Sequence, residues 1–308
     1  DYFQKALAVN ASNPDVHYNL ACLLKKQNRL EEAEKAFLNA LQLRPDYIAA
    51  AFNLANLLKQ QKRYQEAEAA YQVVIDYKAD FVEAYLNLGA LFKEQKRYAD
   101  AKEAYQSALT LRPDYTEAYN ALGDLYLEQK YYQDAEKSYL SALQIQPDYV
   151  QALNNLGTLF RQQKRYEEAE DCYRMALDYS PDFYQARFNQ SALLLSLGRF
   201  QEGWQAYESR FYLDNNIGQS FLPEMKASSW QGESLSGRSL LLFSEQGVGD
   251  DVMFASCLNE LKNTHSQIFF ACDIRLQALF SRSFPFINVI EKDPLNRYQA
   301  IESSLDYH

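Results

Sequence analysis

Leu86-Asn-Leu-Gly89 is one version of a phrase that recurs along the first two thirds of the chain. It returns as Tyr18-Asn-Leu-Ala21, Phe52-Asn-Leu-Ala55, Asn120-Ala-Leu-Gly123, Asn154-Asn-Leu-Gly157 and Phe188-Asn-Gln-Ser191, each 34 residues from the next. Twelve residues after the small position comes an alanine (Ala33, Ala67, Ala101, Ala135, Ala169). Four further on stands an aromatic: Phe37, Tyr71, Tyr105, Tyr139, Tyr173 and Tyr207. Proline closes most units, at Pro45, Pro113, Pro147 and Pro181, with Ala79 as the exception. A period of this size marks a stack of supersecondary units, none of which can bury its apolar face alone. Apolar residues three and four apart give each unit two amphipathic helices. The small residues let their backbones approach, and aromatics such as Phe92, Tyr126 and Phe160 fill the gaps. Proline stops the second helix because it cannot continue one.

Full units begin near residues 14, 48, 82, 116, 150 and 184, while residues 1–13 supply only the second helix of an earlier unit. Together with the missing initial Met, this phase leads us to expect a chain that starts partway through a longer protein. The turn between the two helices of a unit calls for a left-handed residue, for which glycine is the usual choice. Here Asn28, Lys62, Lys96, Lys130 and Lys164 fill that turn, with glycine only at Gly198. Each lysine is expected to cost up to about 1 kcal/mol.

The length of 308 residues, at about 150 per domain, predicts two domains. With 47% apolar and 23% charged residues the chain is neither disordered nor fibrous. No window approaches about 18 consecutive apolar residues, so no membrane span is expected. The net charge is −10, and both parts share it: residues 1–212 hold 24 basic and 29 acidic side chains, residues 213–308 hold 7 and 12. That excludes the basic footprint of a nucleic-acid binder. Cys22, Cys172, Cys257 and Cys272 form no C-x-x-C pair, which points to a reduced, cytoplasmic setting. His17, His265 and His308 are far apart in sequence, so neither a metal site nor a histidine-based catalytic set is expected. Asn10-Ala-Ser12 and Asn189-Gln-Ser191 match the glycosylation tripeptide, but without a secretion signal they carry no weight.

The small, aromatic, alanine, aromatic and proline positions resemble the tetratricopeptide repeat over residues 1–217. The resemblance implies a mainly α fold, an α-solenoid superhelix of about six units and a partial one. First helices would line its concave surface, where a protein or peptide partner would bind. One inner column is Asn19, Asn53, Asn87, Asn155 and Asn189, with Ala121 at the gap and Asn120 beside it. Amides both donate and accept, so such a row can grip an extended peptide by its backbone. It resembles the asparagine ladder of O-GlcNAc transferases; the alternative is that asparagine simply suits a semi-exposed position of the repeat. Six residues on, Lys25, Lys59, Lys93 and Arg161, broken by Leu127 and Leu195, form a column that would attract acidic segments or simply be a solvated face. Tyr64, Tyr98, Tyr132 and Tyr166 read as packing residues.

Near residue 198 the pattern decays: Gly203 replaces an alanine and Asn215 a proline. Residues 218–237 read as a linker, and residues 238–308 as strand, glycine loop and helix, followed by strand, helix and strand. The expected strands are Ser239–Ser244, Gln267–Cys272 and Phe286–Ile290, and the expected helices run from the loop through about Leu261 and from Ile274 to Arg282. Such alternation implies a parallel, Rossmann-like sheet. Gly247 and Gly249, with Glu245 and Gln246 before them, allow a tight turn and close approach of an anion at the helix start. A dinucleotide site is disfavoured, because its third glycine is Val252 here, although Asp273 ends the second strand.

Trp230-Gln-Gly-Glu-Ser-Leu-Ser-Gly-Arg-Ser-Leu-Leu-Leu-Phe-Ser-Glu-Gln-Gly-Val-Gly-Asp250, after Gly203-Trp-Gln-Ala-Tyr207, resembles bacterial tetratricopeptide proteins that continue into a GT-B glycosyltransferase domain of the heptosyltransferase type. The resemblance implies a scaffold that recruits an acceptor to the transferase and makes Asp250 the general base; aspartate there also caps a helix. Phe243, Met253 and Ser256 stand where relatives often show histidine, glutamine and arginine, so acceptor details do not carry over. The family holds its nucleotide-sugar donor in a second Rossmann half, expected beyond His308, so no cofactor is expected in these residues and they are not expected to be active alone. The alternative is a non-catalytic interaction scaffold.

Overall fold

The computed structural model describes residues 12–213, 230, 232–243, 248–264, 266–292 and 305–307, with only the backbone at Asp250 and Phe254. The chain divides into two compact units, Asp1–Tyr207 and Glu208–His308.

Among the described residues of the first, six antiparallel helix pairs follow one another. They are α1 (Pro14–Lys26) with α2 (Leu30–Leu43), α3 (Ile48–Gln60) with α4 (Tyr64–Tyr77), and α5 (Val82–Glu94) with α6 (Tyr98–Leu111). Next come α7 (Thr116–Glu128) with α8 (Tyr132–Ile145), α9 (Val150–Gln162) with α10 (Tyr166–Tyr179), and α11 (Tyr184–Ser196) with α12 (Phe200–Tyr207). Each first helix thus starts where the repeat phase places it. The first compact unit closes at Tyr207, and a 3₁₀ turn over Glu208–Tyr212 opens the second. Ala79 closes its unit as proline does elsewhere: Phe81 N–H donates to Lys78 O at 3.1 Å, as Tyr115 N–H does to Arg112 O.

The core repeats with the same period. Tyr71, Tyr105, Tyr139 and Tyr173 are fully buried, as are Leu57, Leu91, Leu125, Leu159 and Leu193. A Cβ on Gly89, Gly123 or Gly157 would lie 2.5, 2.4 or 2.8 Å from the ring of Tyr105, Tyr139 or Tyr173, so the second-helix aromatic occupies the space that the missing side chain leaves.

The turn residues adopt the strained conformation that their spacing predicts. Asn28, Lys62, Lys96, Lys130 and Lys164 have φ between 58 and 63°, and Gly198 has φ 77°. At Lys96 the chain forms a Schellman turn, with Lys96 N–H donating to Lys93 O and Arg97 N–H to Phe92 O, both at 2.9 Å. The apolar contact that usually accompanies this turn is replaced by a cation on an aromatic face: the Arg97 guanidinium lies 4.2 Å from the Phe92 ring centre, and Arg165 lies 3.9 Å from that of Phe160.

The same arginines latch neighbouring units. Arg63 pairs with Glu34 of the preceding unit and with Glu66 of its own (2.5 and 2.6 Å). Arg97 pairs likewise with Glu68 and Asp100, Arg165 with Glu136 and Glu168, and Arg199 with Glu170 and Glu202. The joint between the third and fourth units breaks the series: Tyr131 of the fourth stands in the arginine column and Lys102 of the third in the glutamate column. Half-exposed ion pairs contribute little singly. Installing the missing latch with Tyr131→Arg and Lys102→Glu should raise stability by about 0.5–1 kcal/mol in a double-mutant cycle followed by urea unfolding. Additive single effects would mean that the latch carries no coupling.

In the second unit, β1 (Ser239–Phe243), β2 (Gln267–Cys272) and β3 (Asn288–Glu291) form a parallel sheet in that order. Tyr307 bridges β1 at Leu240, also in parallel, with Leu241 N–H donating to Tyr307 O at 3.0 Å. Between the strands lie α13 (Val248–Ala255) and α14 (Ile274–Ser283). The helical run expected through Leu261 changes to 3₁₀ at Ser256–Leu261, where the Ser256 hydroxyl takes the Met253 carbonyl and tightens the turn. β3 starts at Asn288 rather than Phe286, because Ile287 N–H closes a turn onto Phe284 O.

Candidate binding groove

First helices of successive units approach one another (α3 with α5, α5 with α7, α7 with α9, α9 with α11) more than second helices do, which makes theirs the inner side of the array. The asparagine column lies on this side and is mostly half-buried; Asn19 is exposed. The amides are tied into the wall as well as facing outward. Asn53 Nδ2 donates to the Tyr18 hydroxyl (3.3 Å) and to Ala49 O (2.9 Å). Asn87 Nδ2 donates to Asn56 Oδ1 (3.0 Å), which also accepts from the Tyr71 hydroxyl (2.6 Å).

In the later units the bonds form a continuous chain. Asn189 Nδ2 donates to Asn154 Oδ1, Asn154 Nδ2 to Asn155 Oδ1, and Asn155 Nδ2 to both Asn120 Oδ1 and Asp124 Oδ1. Asn120 therefore joins the ladder across the gap at Ala121. Among the described residues, the Oδ1 of Asn53 and of Asn87, one amide hydrogen on each of Asn87 and Asn189, and both amide hydrogens of Asn120 remain for a ligand. The Asn19 side chain makes no hydrogen bond among the described residues.

The cation column is less free than its spacing suggests. Lys59 pairs with Glu94 at 3.4 Å. Lys93 attracts the Asp124 carboxylate without forming an ion pair with it. Arg161 Nε is buried with no hydrogen-bond partner. Lys25 forms no ion pair among the described residues. Of the second tyrosine set, Tyr98 donates its hydroxyl to Glu128 at 2.8 Å across the seam between the third and fourth units.

The sequence reading missed the residues that anchor the ladder: Asn56, Asp124 and Thr158, each fifteen residues before a buried tyrosine. Asp124 Oδ1 accepts from the Tyr139 hydroxyl at 2.7 Å, and Thr158 meets that of Tyr173 at 3.2 Å. Burial pushes the Asp124 carboxyl above its ordinary pKa, against the bonds from Tyr139 and Asn155 and the pull of Lys93. The spacing itself could have revealed this column.

In the second unit, Glu245, Gln246 and Gly247 lie outside the described residues. Gly249 has open space where a Cβ would be, and Asp250 follows it in the first turn of α13. Asp251, not singled out by the sequence reading, is 2% exposed; its Oδ2 accepts from Asp273 N–H at 3.3 Å, joining α13 to the end of β2. Asp273 caps α14 through Arg275 N–H, and its side-chain bond to the Arg275 guanidinium contributes most to holding its pKa at about 2. All four cysteines are free thiols. Among the described residues no three His, Cys, Asp or Glu gather as a metal site, and no helix is long and apolar enough to cross a membrane.

Paired helices repeated with a fixed phase, a glycine or alanine under each aromatic and a polar inner face define a helical-repeat solenoid. Family models described as tetratricopeptide repeat match residues 14–47, 49–77, 82–115, 114–182 and 154–212. The chain belongs to the tetratricopeptide-repeat family, whose arrays are scaffolds for protein–protein interaction. Over 90 residues, 28% of its length, it is 38% identical to Protein FlbA of Caulobacter vibrioides, and the match spans only 15% of that protein. The fold resembles that of PilF from Pseudomonas aeruginosa, with TM-score 0.54 and 19% identity over 68% of this chain and 96% of the other. It also resembles a chain of the APC/C hetero-tetramer Cut9–Hcn1, with TM-score 0.58 and 17% identity over 70% and 42%.

Proposed function

We propose that the array holds an extended segment of a partner protein along its inner face. The observation that carries this reading is the row of unused amide acceptors and donors on Asn53, Asn87 and Asn189, repeating with the helices beside Lys25, Lys59 and Lys93. Backbone amides of an extended chain match such a row, and lysines favour acidic side chains on it. Peptides selected on the intact chain from a random display library should slow hydrogen exchange in α3, α5, α7, α9 and α11 and leave α4, α6, α8 and α10 unchanged. Their affinity should fall at least tenfold in Asn87→Ala/Asn189→Ala. Protection confined to the second helices would refute the reading.

A second reading concerns residues 208–308. The Tyr307 bridge lies on the edge of β1 opposite β2, so strand order reverses at β1, the place where open α/β sheets bind ligands. We infer a Rossmann-like first half of a GT-B glycosyltransferase, with a nucleotide-sugar as donor for the complete protein and the array delivering the acceptor in the cytoplasm. Gly249 would admit the ligand, and Asp250, which stands inside the first turn of α13 and not at the cap position expected for it, would take the acceptor's proton. Titration of UDP-, GDP- and ADP-sugars into the longest natural form of the protein tests it. Micromolar binding of one class, with turnover lost in Asp250→Asn, supports the transferase; no binding leaves a non-catalytic scaffold.

A further inference from the structure

The repeat supplies its own controls, because one position can be compared through every unit. The column Cys22, Asn56, Ala90, Asp124, Thr158 and Ala192 contains one acid. Asn56 and Asp124 make the same two bonds: each accepts from the tyrosine fifteen residues on (2.6 and 2.7 Å) and from the asparagine of the next unit (3.0 and 2.9 Å). Thr158 meets its own tyrosine with a hydroxyl. An amide or a hydroxyl therefore satisfies the packing, and the negative charge of Asp124 adds nothing to it.

The charge is also costly, since burial works against the ionised form. Asp124 Oδ2 accepts no hydrogen bond among the described residues, and Lys93 stays beyond ion-pair distance. Independently, the cation column loses its charge in the same unit: Lys25, Lys59 and Lys93 give way to Leu127 before Arg161 restores it. Across these two columns the fourth unit, alone of the first five, carries an acid and no cation.

We propose that Asp124 reads a cationic side chain, lysine or arginine, of the bound segment, and that Lys93 and Arg161 favour acidic residues on either side of it. The proposal rests on the groove reading and adds the charge pattern of the partner.

The test uses the whole chain and a random peptide display library, selected separately on the wild type and on Asp124→Asn. Wild-type peptides should share one basic residue at a fixed place. Asp124→Asn should weaken them about tenfold, as expected for a charge-assisted contact. Changing that residue to glutamine should weaken wild-type binding equally, with no further loss in the variant. Peptides that depend on Asn87 and Asn189 but lack the shared basic residue, or ignore Asp124→Asn, would overturn the proposal and leave the groove reading intact. Peptides indifferent to Asn87→Ala/Asn189→Ala would remove both.

Folding is the internal check. Asp124 has its folded pKa above the usual 3.8, so stability falls as pH rises through that folded value. The asparagine variant should therefore melt no lower than the wild type at neutral pH. A lower melting temperature would show that the carboxylate is structural and would overturn the proposal.

Discussion

Replacing Tyr139 by alanine should destabilise the array by about 3–5 kcal/mol, the range for emptying a large buried aromatic site. The ring has no solvent exposure and lies over Gly123, where even a methyl group would meet it at 2.4 Å. Its removal opens a cavity between α7 and α8 and takes the hydroxyl donor from Asp124. Tyr139→Phe keeps the packing and loses only the bond, so about 1–3 kcal/mol is expected. Urea unfolding followed by far-ultraviolet circular dichroism separates the two terms. Equal losses in both variants would show that the hydroxyl, and not the ring, holds the pair together.

A change of opposite sign is expected at the turns. Lys62, Lys96, Lys130 and Lys164 all hold φ near 60°, where a side chain is strained. Glycine removes the strain but loses more freedom on folding, leaving a gain of about 0.5–1 kcal/mol per site. The sites lie in different units and share no partner, so the fourfold variant should gain about 2–4 kcal/mol. The midpoint of urea unfolding should rise in proportion to the number of substitutions. A fall at any one site would show that the lysine stem contributes packing that outweighs the strain.

The sequence made the helix starts, the left-handed turns and the buried tyrosines legible because each is a local demand repeated every 34 residues. Gly89, Gly123 and Gly157 recur because a ring must fit above them, and that fit needs only one unit to be understood. The latch was harder to see, since its partners lie 29 residues apart on different helices and meet only when units stack. Its signature was nonetheless present: Tyr131 and Lys102 depart from their columns together. The asparagine column was visible, but not the fact that most of its amides are engaged, because hydrogen-bond direction depends on ångström-scale placement. Asp124 escaped notice because a lone acid on a helix face ordinarily means solvent. In the second unit the strand and helix order could be read from hydropathy, whereas the Tyr307 bridge joins residues too distant in sequence for any pattern to reveal.

The absent latch has a mechanical consequence. Stability in a solenoid is a sum over neighbours, so a chain pulled from its ends yields at its weakest joint. One hydrophobic cluster extends from Ala21 to Leu125 and the next from Ala135 to Leu193; they share only Tyr126 among the residues packed against both, in the unit that also lacks the arginine of the clamp. Under tension the array should part there first and lengthen in two steps, and the groove in between would act as a compliant spring, taking up partners of slightly different pitch.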